Sequence, residues 1–276
     1  MPAAHHKLHQ PPQPPSSMGA KIGIVVVALA VAGTLWYLNR GSESTKAAQA
    51  LGRDDAKPMV TKPGQRGTVK LEDTTTVSMG AGSVVKLTAH FPQDFRAVAV
   101  NGTAAFSVPA GTQPFLVQVG EAWVVALDAD FAVRHFTEDT TAMIKVTRGT
   151  VTVRGAMAEQ SLATGAALQV NKDGVMSDFP ADMANETFSW VDGRFVVNNK
   201  PLDEVLLAMK RWYDVDMVVR DSSIAHRLIT MNASMESSGD AVDSLEKTGN
   251  VKHTFEGKGM VITDAPAAPE KKGKKK

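Results

Sequence analysis

The chain has 276 residues, of which 43% are hydrophobic and 21% are charged, with a formal net charge of +1 and no cysteine. The length allows two modest domains, and a near-neutral charge with scattered lysine and arginine residues gives no reason to expect a nucleic-acid partner. The lack of cysteine excludes a thiol nucleophile, a disulfide framework and a thiolate metal site.

The first twenty residues form a proline-rich tail. Four prolines lie between Pro11 and Pro15, and proline favours the polyproline II conformation and interrupts helices. We therefore expect residues 1–20 to be disordered. The histidines of this tail match no spacing of a defined metal site, so we predict no metal site there.

A long apolar stretch follows at residues 21–39. The run Ile22–Leu38, IGIVVVALAVAGTLWYL, carries no charge between Lys21 and Arg40. A helix of this length covers about 25 Å, near the short end of what the bilayer core requires. A terminal Trp-Tyr pair suits the headgroup layer. We predict one transmembrane helix that contacts membrane lipid through Ile22, Val26, Leu29, Leu35, Trp36, Tyr37 and Leu38.

A cleaved signal peptide is the competing interpretation of this stretch. The run is longer than a typical signal-peptide core, and Ala48-Gln49-Ala50 lies too far downstream for a cleavage site. We therefore favour an uncleaved anchor. In both cases the chain after Arg40 lies on one side of a membrane, and the lysine and arginine counts on the two flanks leave the orientation open.

Residues 40–65 are rich in small and charged residues and predict a linker, with a short helix between Lys46 and Leu51. From residue 66 to 179 the hydrophobic residues alternate with a period of two, as Val117 and Val119 do, and glycines separate the runs. Short strands without an intervening helix predict an all-β domain. We expect Trp123 to lie in its core beside Val125 and Leu127 on one strand face.

Residues 190–264 show a mixed pattern that predicts a small α+β domain. The expected order is strand, helix, strand, strand, helix, strand, strand, in which Leu202, Val205, Leu206 and Met209 line one face of the first helix. Asn199 is its expected cap, and Gly249 is expected to end the second helix. Residues 265–276, APAAPEKKGKKK, predict a disordered lysine-rich tail.

The sequence contains no reactive constellation, so we do not expect an enzyme, a cofactor or a metal ion. Asp128 and Asp130 place two carboxylates on one strand face, an arrangement that binds a cation or does acid-base work in other proteins. A polar turn is the simpler interpretation of this pair. His226 and His253 have no partner that the sequence identifies. Trp190, between the two domains, either packs them together or forms a partner surface.

The order of several short motifs resembles the FecR-type periplasmic domain. These motifs are Gly102–Val108 (GTAAFSV), Pro114–Val117 (PFLV), Phe131–Val133 (FAV) and Val146–Val153 (VTRGTVTV). The following residues resemble the small C-terminal domain that accompanies it, which is related to the short N-terminal domain of secretins and TonB-dependent receptors: Trp190, Gly193, Phe195, Pro201, Leu202, Glu204, Val205, Arg211 and Tyr213. The resemblance covers about residues 64–264.

The resemblance implies a single-pass regulator in the bacterial inner membrane, with its N-terminus in the cytoplasm and most of the chain in the periplasm. Such a protein senses an envelope partner, such as a TonB-dependent receptor or another membrane complex, and passes the signal to a sigma factor. It also implies partner-binding residues in the second domain, for which we name Trp190, Phe195, Arg211 and Tyr213.

Two features depart from the family pattern. Ala129-Asp130 stands where the family commonly carries Gly-Thr, and only twenty residues precede the span, where the family has a helical cytoplasmic domain that binds the sigma factor. A tail of this length has no core with which to hold a sigma factor. The second expectation is therefore an assembly or accessory module that docks on another envelope complex without signalling.

Overall fold

The computed structural model describes residues 43–257 and 259–265. The predicted proline-rich tail, the predicted membrane anchor and most of the predicted lysine-rich tail lie outside these residues. Among the helices that are described, none has both the length and the hydropathy needed to cross a bilayer.

The first domain begins with a helix and continues as strands. The helix is α1 (43–51). The strands are β1 (Lys57–Val60), β2 (Gly67–Lys70), β3 (Thr76–Met79), β4 (Val84–Leu87), β5 (Ala97–Val108), β6 (Phe115–Val119), β7 (Ala122–His135), β8 (Thr141–Arg154), β9 (Glu159–Ala163), β10 (Ala167–Asn171) and β11 (Met176–Asp178).

These strands form an 11-stranded sheet within the described part of the chain. The order along its main path is β1-β4-β5-β6-β7-β8-β10-β11, while β2 pairs with β3, β3 with β5, and β9 with β8. The pairs are antiparallel except β5 with β6. Val77 of β3 and Leu168 of β10 belong to the same buried cluster, so the sheet folds over one core. Phe106 stacks on Phe131 at that core, with 5.3 Å between ring centroids.

The alternation of buried and exposed residues explains this core. In β8, Ala142, Ile144 and Val146 are buried while the residues between them are not, as expected when successive side chains point to opposite faces of a strand. The mostly β architecture predicted for this part of the chain is confirmed.

The short helix predicted between Lys46 and Leu51 is present as α1 (43–51), but the described part of residues 40–65 is not the spacer that the composition indicated. Within that stretch α1 packs against the outer face of the sheet, where Ala47 and Leu51 are buried together with Ala97 and Leu116. In addition, β1 pairs along its whole length with β4. Composition alone indicated a spacer because α1 presents only a few apolar residues, and their buried partners lie far away in the sequence.

The predicted core position of Leu127 is wrong. Trp123 and Val125 pack under α1, but Leu127 is 48% exposed. The core side of β7 carries Ala122, Val124 and Ala126, so the face predicted to lie in the core is the outer face of the sheet. On that face α1 covers Trp123 and Val125 but not Leu127.

A connector, residues 179–193, joins the two domains. It contains α2 (Ala181–Thr187) and a 3₁₀ turn (Ser189–Asp192). Phe179, Ala184 and Phe188 of the connector form a cluster with Ala132 of β7. The connector is thus packed on the outer face of the first domain's sheet.

The second domain follows the predicted order of elements. These are β12 (Arg194–Pro201), α3 (Leu202–Tyr213), β13 (Met217–Val219), β14 (Leu228–Ser234), α4 (Ser238–Gly249), β15 (Val251–Glu256) and β16 (Gly259–Asp264), with a short 3₁₀ turn (Ser222–Ile224) before β14. β12 pairs with β14, and a separate sheet has the order β13-β16-β15. The expected strand–helix–strand–strand–helix–strand–strand succession is confirmed.

One of the two predicted helix ends differs from the structure. Pro201, not Asn199, is the residue at the N-cap of α3, and Asn199 has a positive φ of 54° inside β12. The prediction that α4 ends at Gly249 is confirmed, and Asn250 adopts the left-handed conformation after it. A Cβ on Gly249 would lie 2.8 Å from Ile229 Cδ1, so the terminal methyl group of Ile229 would have to shift to accommodate one.

Candidate functional site at the domain junction

The structure brings the four predicted partner residues to the base of the second domain. Trp190 is 6% exposed and its ring lies 5.8 Å from that of Trp212. Phe195 is also buried and contacts Tyr213 edge to face at 5.7 Å. The three aromatic residues among these four therefore pack within the chain, as the packing interpretation of Trp190 anticipated. Their proposed contact with a partner stays a prediction.

The hydroxyl of Tyr213 also acts inside the chain. It donates a hydrogen bond to the carbonyl oxygen of Ser234, at 2.8 Å. Burial raises the pKa of Tyr213 to about 12, so the phenol stays protonated and remains a donor at physiological pH. This bond ties the end of α3 to the end of β14.

Trp212 connects the core of the second domain to the first domain. It belongs to the same buried cluster as Ala81, which follows β3. A Cβ on Gly80 would lie 3.0 Å from Trp212 Cη2 and 2.3 Å from Thr103 Cγ2. The bare backbone at Gly80 is therefore what allows the indole to approach the sheet so closely.

Arg211 makes the polar part of the junction. Its guanidinium carbon lies 3.9 Å from the ring centroid of Phe136. Its Nη2 forms an ion pair with the carboxylate of Glu138. Arg134 lies over the same ring at 4.8 Å and pairs with Asp139 at 3.2 Å. We call these five residues the Phe136 latch: Arg134, Phe136, Glu138, Asp139 and Arg211.

The latch holds two cations close together. Burial lowers the pKa of Arg134 and the nearby charge of Arg211 adds to this effect, while Asp139 opposes it. An arginine side chain stays charged despite such a shift. The two carboxylates of the latch are therefore required to balance the two guanidinium groups.

Two hydrogen bonds to backbone carbonyl groups of the second domain add to the junction. The N–H of Gly64 donates to the carbonyl of Arg211 at 2.9 Å. Arg66 Nη2 donates to the carbonyl of Met235 at 2.6 Å. Both contacts join the segment between β1 and β2 to the second domain, so the two domains share apolar, ionic and backbone contacts.

The predicted carboxylate pair is occupied by an arginine. Arg148 pairs with Asp128 at 2.5 Å and with Asp130 at 2.9 Å. The hydrogen bond from Arg148 lowers the pKa of Asp130 against the effect of burial, helped by a bond from Ser107. A carboxyl group whose pKa is lowered, as that of Asp130 is, makes a poor general acid. No cluster of potential metal ligands occurs within the residues that the model describes.

The two histidines without a predicted partner contact carboxylates. His226 lies 3.7 Å from Asp203 on an exposed surface. His253 Nδ1 lies 3.0 Å from Glu246 Oε1. Neither pair lies in the junction.

Sequence reasoning missed Trp212 and Phe136. Trp212 continues the helical spacing of Leu202, Val205 and Met209 on α3, so the extended stripe could have revealed it. Phe136 follows the end of β7 and carries no periodic signal. Its role depends on Arg211, which only the fold brings to it.

The comparisons with known proteins agree on the family. The model described as "FecR protein" matches residues 57–152, and the model "FecR, C-terminal" matches residues 194–262. Together they match more than half of the chain. A search of curated proteins finds no match. The relation of the second domain to secretins and TonB-dependent receptors is not tested by these matches and stays a prediction.

Two solved structures share the fold. They are crystal structures, at 2.50 Å and 1.65 Å resolution, of a candidate anti-sigma factor from Parabacteroides distasonis ATCC 8503. Each is 23% identical to this chain with a TM-score of 0.62, and the likeness covers 76% of this chain and 100% of the other. The predicted family is thus confirmed: the chain belongs to the FecR family, with a FecR domain followed by a FecR C-terminal domain.

Proposed function

We propose that this protein is a single-pass, membrane-anchored signalling regulator of the anti-sigma-factor type, whose two domains act in the periplasm through protein contacts. The succession of a FecR domain and a FecR C-terminal domain in one compact unit carries this proposal. The fold shared with a candidate anti-sigma factor supports it. The anchor is the apolar run at residues 22–38, with the N-terminus in the cytoplasm.

The packing of the described domains supports coupled movement of the two domains rather than two independent modules. A partner that moves the second domain pulls on the Phe136 latch and on Trp212, since both join α3 to the first domain's sheet. At another part of that sheet, α1 is held by Ala47 and Leu51. In the sequence α1 follows the predicted anchor, which gives the sheet a direct connection to the membrane.

The exposed apolar side chains of the second domain are our candidates for the partner surface. Phe255 on β15 is 67% exposed and Val218 on β13 is 61% exposed. Both strands are at the edges of the three-stranded sheet, where backbone groups are open to another chain. The partner in this proposal is an envelope protein such as a TonB-dependent receptor, and contact, not catalysis, is the activity.

Deletion of the proline-rich tail tests the signalling step. We compare cells that produce the full chain, the chain without residues 2–20, and a control without residues 266–276, and sequence their RNA. If the protein signals, loss of the N-terminal tail changes a defined set of transcripts, whereas loss of the C-terminal tail does not. Capture of envelope partners by the periplasmic domains is expected to survive both deletions.

A different result would assign the docking function. If the chain without residues 2–20 retains every captured partner and produces the same transcripts as the full chain, signalling is excluded. The protein would then act as an assembly or accessory module on another envelope complex.

A further inference from the structure

A cavity of about 300 Å³ lies beside the junction. The first domain contributes Met143 to its wall, the connector contributes Met183 and Trp190, and the second domain contributes Ala208, Trp212 and Met235. Methionine is flexible and polarisable, so a wall with three methionines adapts its shape to an occupant. The volume is at the lower end of the range for small-molecule pockets.

One buried donor in this wall has no partner. Trp190 Nε1 is inaccessible to water and, among the side-chain atoms in the described residues, is the buried one without a hydrogen bond. Leaving such a donor unpaired lowers the stability of the folded chain. Native proteins satisfy nearly all buried donors, and a water or a ligand bound beside the group is one explanation of an exception.

The neighbouring indole does not satisfy this donor. The planes of Trp190 and Trp212 meet at 31°, whereas an N–H that points into a ring face requires a nearly perpendicular pair. A contact between Nε1 and an occupant of the cavity requires a side chain of the wall to rotate, and methionine is the most flexible residue type in this wall.

The charges around the cavity favour no ion. Arg134 and Lys200 are balanced by Glu186 and Glu204, and Arg134 is already paired with Asp139. We propose that the cavity binds a neutral small molecule with one oxygen acceptor, such as a ketone, ester or amide, which accepts a hydrogen bond from Trp190 Nε1. This inference does not depend on the signalling function.

Acetophenone is a suitable probe, and α-methylstyrene is its matched control because a CH₂ group replaces the ketone oxygen. The full chain in lipid nanodiscs, labelled with ¹⁵N at tryptophan, gives indole N–H signals for Trp36, Trp123, Trp190 and Trp212. We expect acetophenone to move the Trp190 signal downfield in a saturable way. Trp123, which packs under α1, reports on non-specific effects.

Two variants locate the probe. Trp190→Phe removes the donor, and we expect the preference for acetophenone over α-methylstyrene to fall from at least about fivefold to none. Ala208→Leu fills the cavity but leaves the indole in place, which matters because Trp190 also borders a wider depression near Gly64 that Ala208 does not line. We expect this variant to lose acetophenone binding while the folded spectrum is retained.

Other results would overturn the proposal. These are a Trp190 signal that neither compound moves up to its solubility limit, equal shifts with both compounds, or full binding to Ala208→Leu. Magnetisation transfer from a long-lived water to the Trp190 N–H that acetophenone does not abolish would show that a structural water fills the site.

Discussion

At the scale of single residues, the Phe136 latch shows how an arginine near the surface, Arg211, contributes to the stability of the fold. Arg211 lies in the last turn of α3 and its side chain is 24% exposed. Its contact with Phe136 depends on the flat face of the guanidinium, which an ammonium group lacks.

We predict that Arg211→Ala lowers the free energy of unfolding by about 1–2 kcal/mol, because a partly buried cation–π contact and an ion pair are lost together. Arg211→Lys should recover less than half of the loss. Urea denaturation followed by tryptophan fluorescence measures both. Arg220→Ala is the matched control, since Arg220 pairs with Glu256 in a more exposed position and should cost less than about 0.5 kcal/mol. Equal losses for the two alanine variants would contradict the role of the latch.

Glu246 provides a pH-dependent contribution to stability. Burial raises the pKa of Glu246, but hydrogen bonds from Lys252 and His253 outweigh burial and leave the pKa below its ordinary value of 4.5. The folded state therefore favours the ionised carboxylate. Its contribution is fully present above the ordinary pKa and is lost as the pH falls through the lowered value of the folded state.

We predict that Glu246→Gln removes about 1 kcal/mol of stability at neutral pH, and that the difference from the wild type shrinks as the pH falls below about 4.5. Denaturant unfolding at a series of pH values measures this difference. Glu236→Gln, at an exposed position, should track the wild type throughout. A Glu246→Gln deficit that is constant down to acid denaturation would show that charge plays no part.

At the scale of elements, α1 is the clearest case in which packing decided the structure. Its apolar contribution consists mainly of Ala47 and Leu51, and such a short helix is marginal in water by itself. The outer face of the sheet, at Ala97 and Leu116, supplies the surface that stabilises it.

We predict that Ala47→Asp releases α1 from the sheet, since a charge at this buried position has no partner. The loss is limited to the docking energy of the helix, about 2–3 kcal/mol for the burial of Leu51 and its neighbours. Hydrogen exchange of residues 43–51 should rise at least tenfold while that of β5 stays protected. Gln49→Asp introduces the same residue at an exposed position of the same helix and should leave exchange unchanged. Equally fast exchange in both variants would show that helix propensity, not docking on the sheet, limits the stability of α1.

At the scale of the whole molecule, the two cores are linked through a few close contacts. Trp212 reaches the first domain over Gly80, and Thr103 beside it is buried and donates to the carbonyl of Val133 at 3.0 Å. An added methyl group on Gly80 would therefore press on both neighbours, and Thr103 is held in place by its hydrogen bond.

We predict that Gly80→Ala uncouples the unfolding of the two domains. Overpacking at this position should lower the free energy of unfolding by about 1–3 kcal/mol. We expect scanning calorimetry to show two unfolding transitions for the variant and one for the wild type. Gly239→Ala is the control, because its Cβ would meet only Ser237 Oγ, at 3.6 Å, in the first turn of α4. That variant should be neutral or slightly stabilised. A single unshifted transition in Gly80→Ala would show that the domains are not coupled through this contact.

The sequence by itself determined the family, the mostly β first domain and the order of elements in the second domain. Those features depend on local periodicity, as in the spacing of Leu202, Val205 and Met209 on α3 and in the alternation along β8. Periodicity reports which face of an element is buried, and local glycines and prolines report where an element ends.

Only the tertiary structure decided where the elements meet. The contact of Arg211 with Phe136, the docking of α1 and the cavity beside Trp190 all join residues that are distant in the sequence. The exposure of Leu127 likewise depends on which part of the outer face of β7 is covered by α1. A single sequence records the preference of each residue for burial, but not which distant surface provides it, because that choice is made by the packing of the whole core.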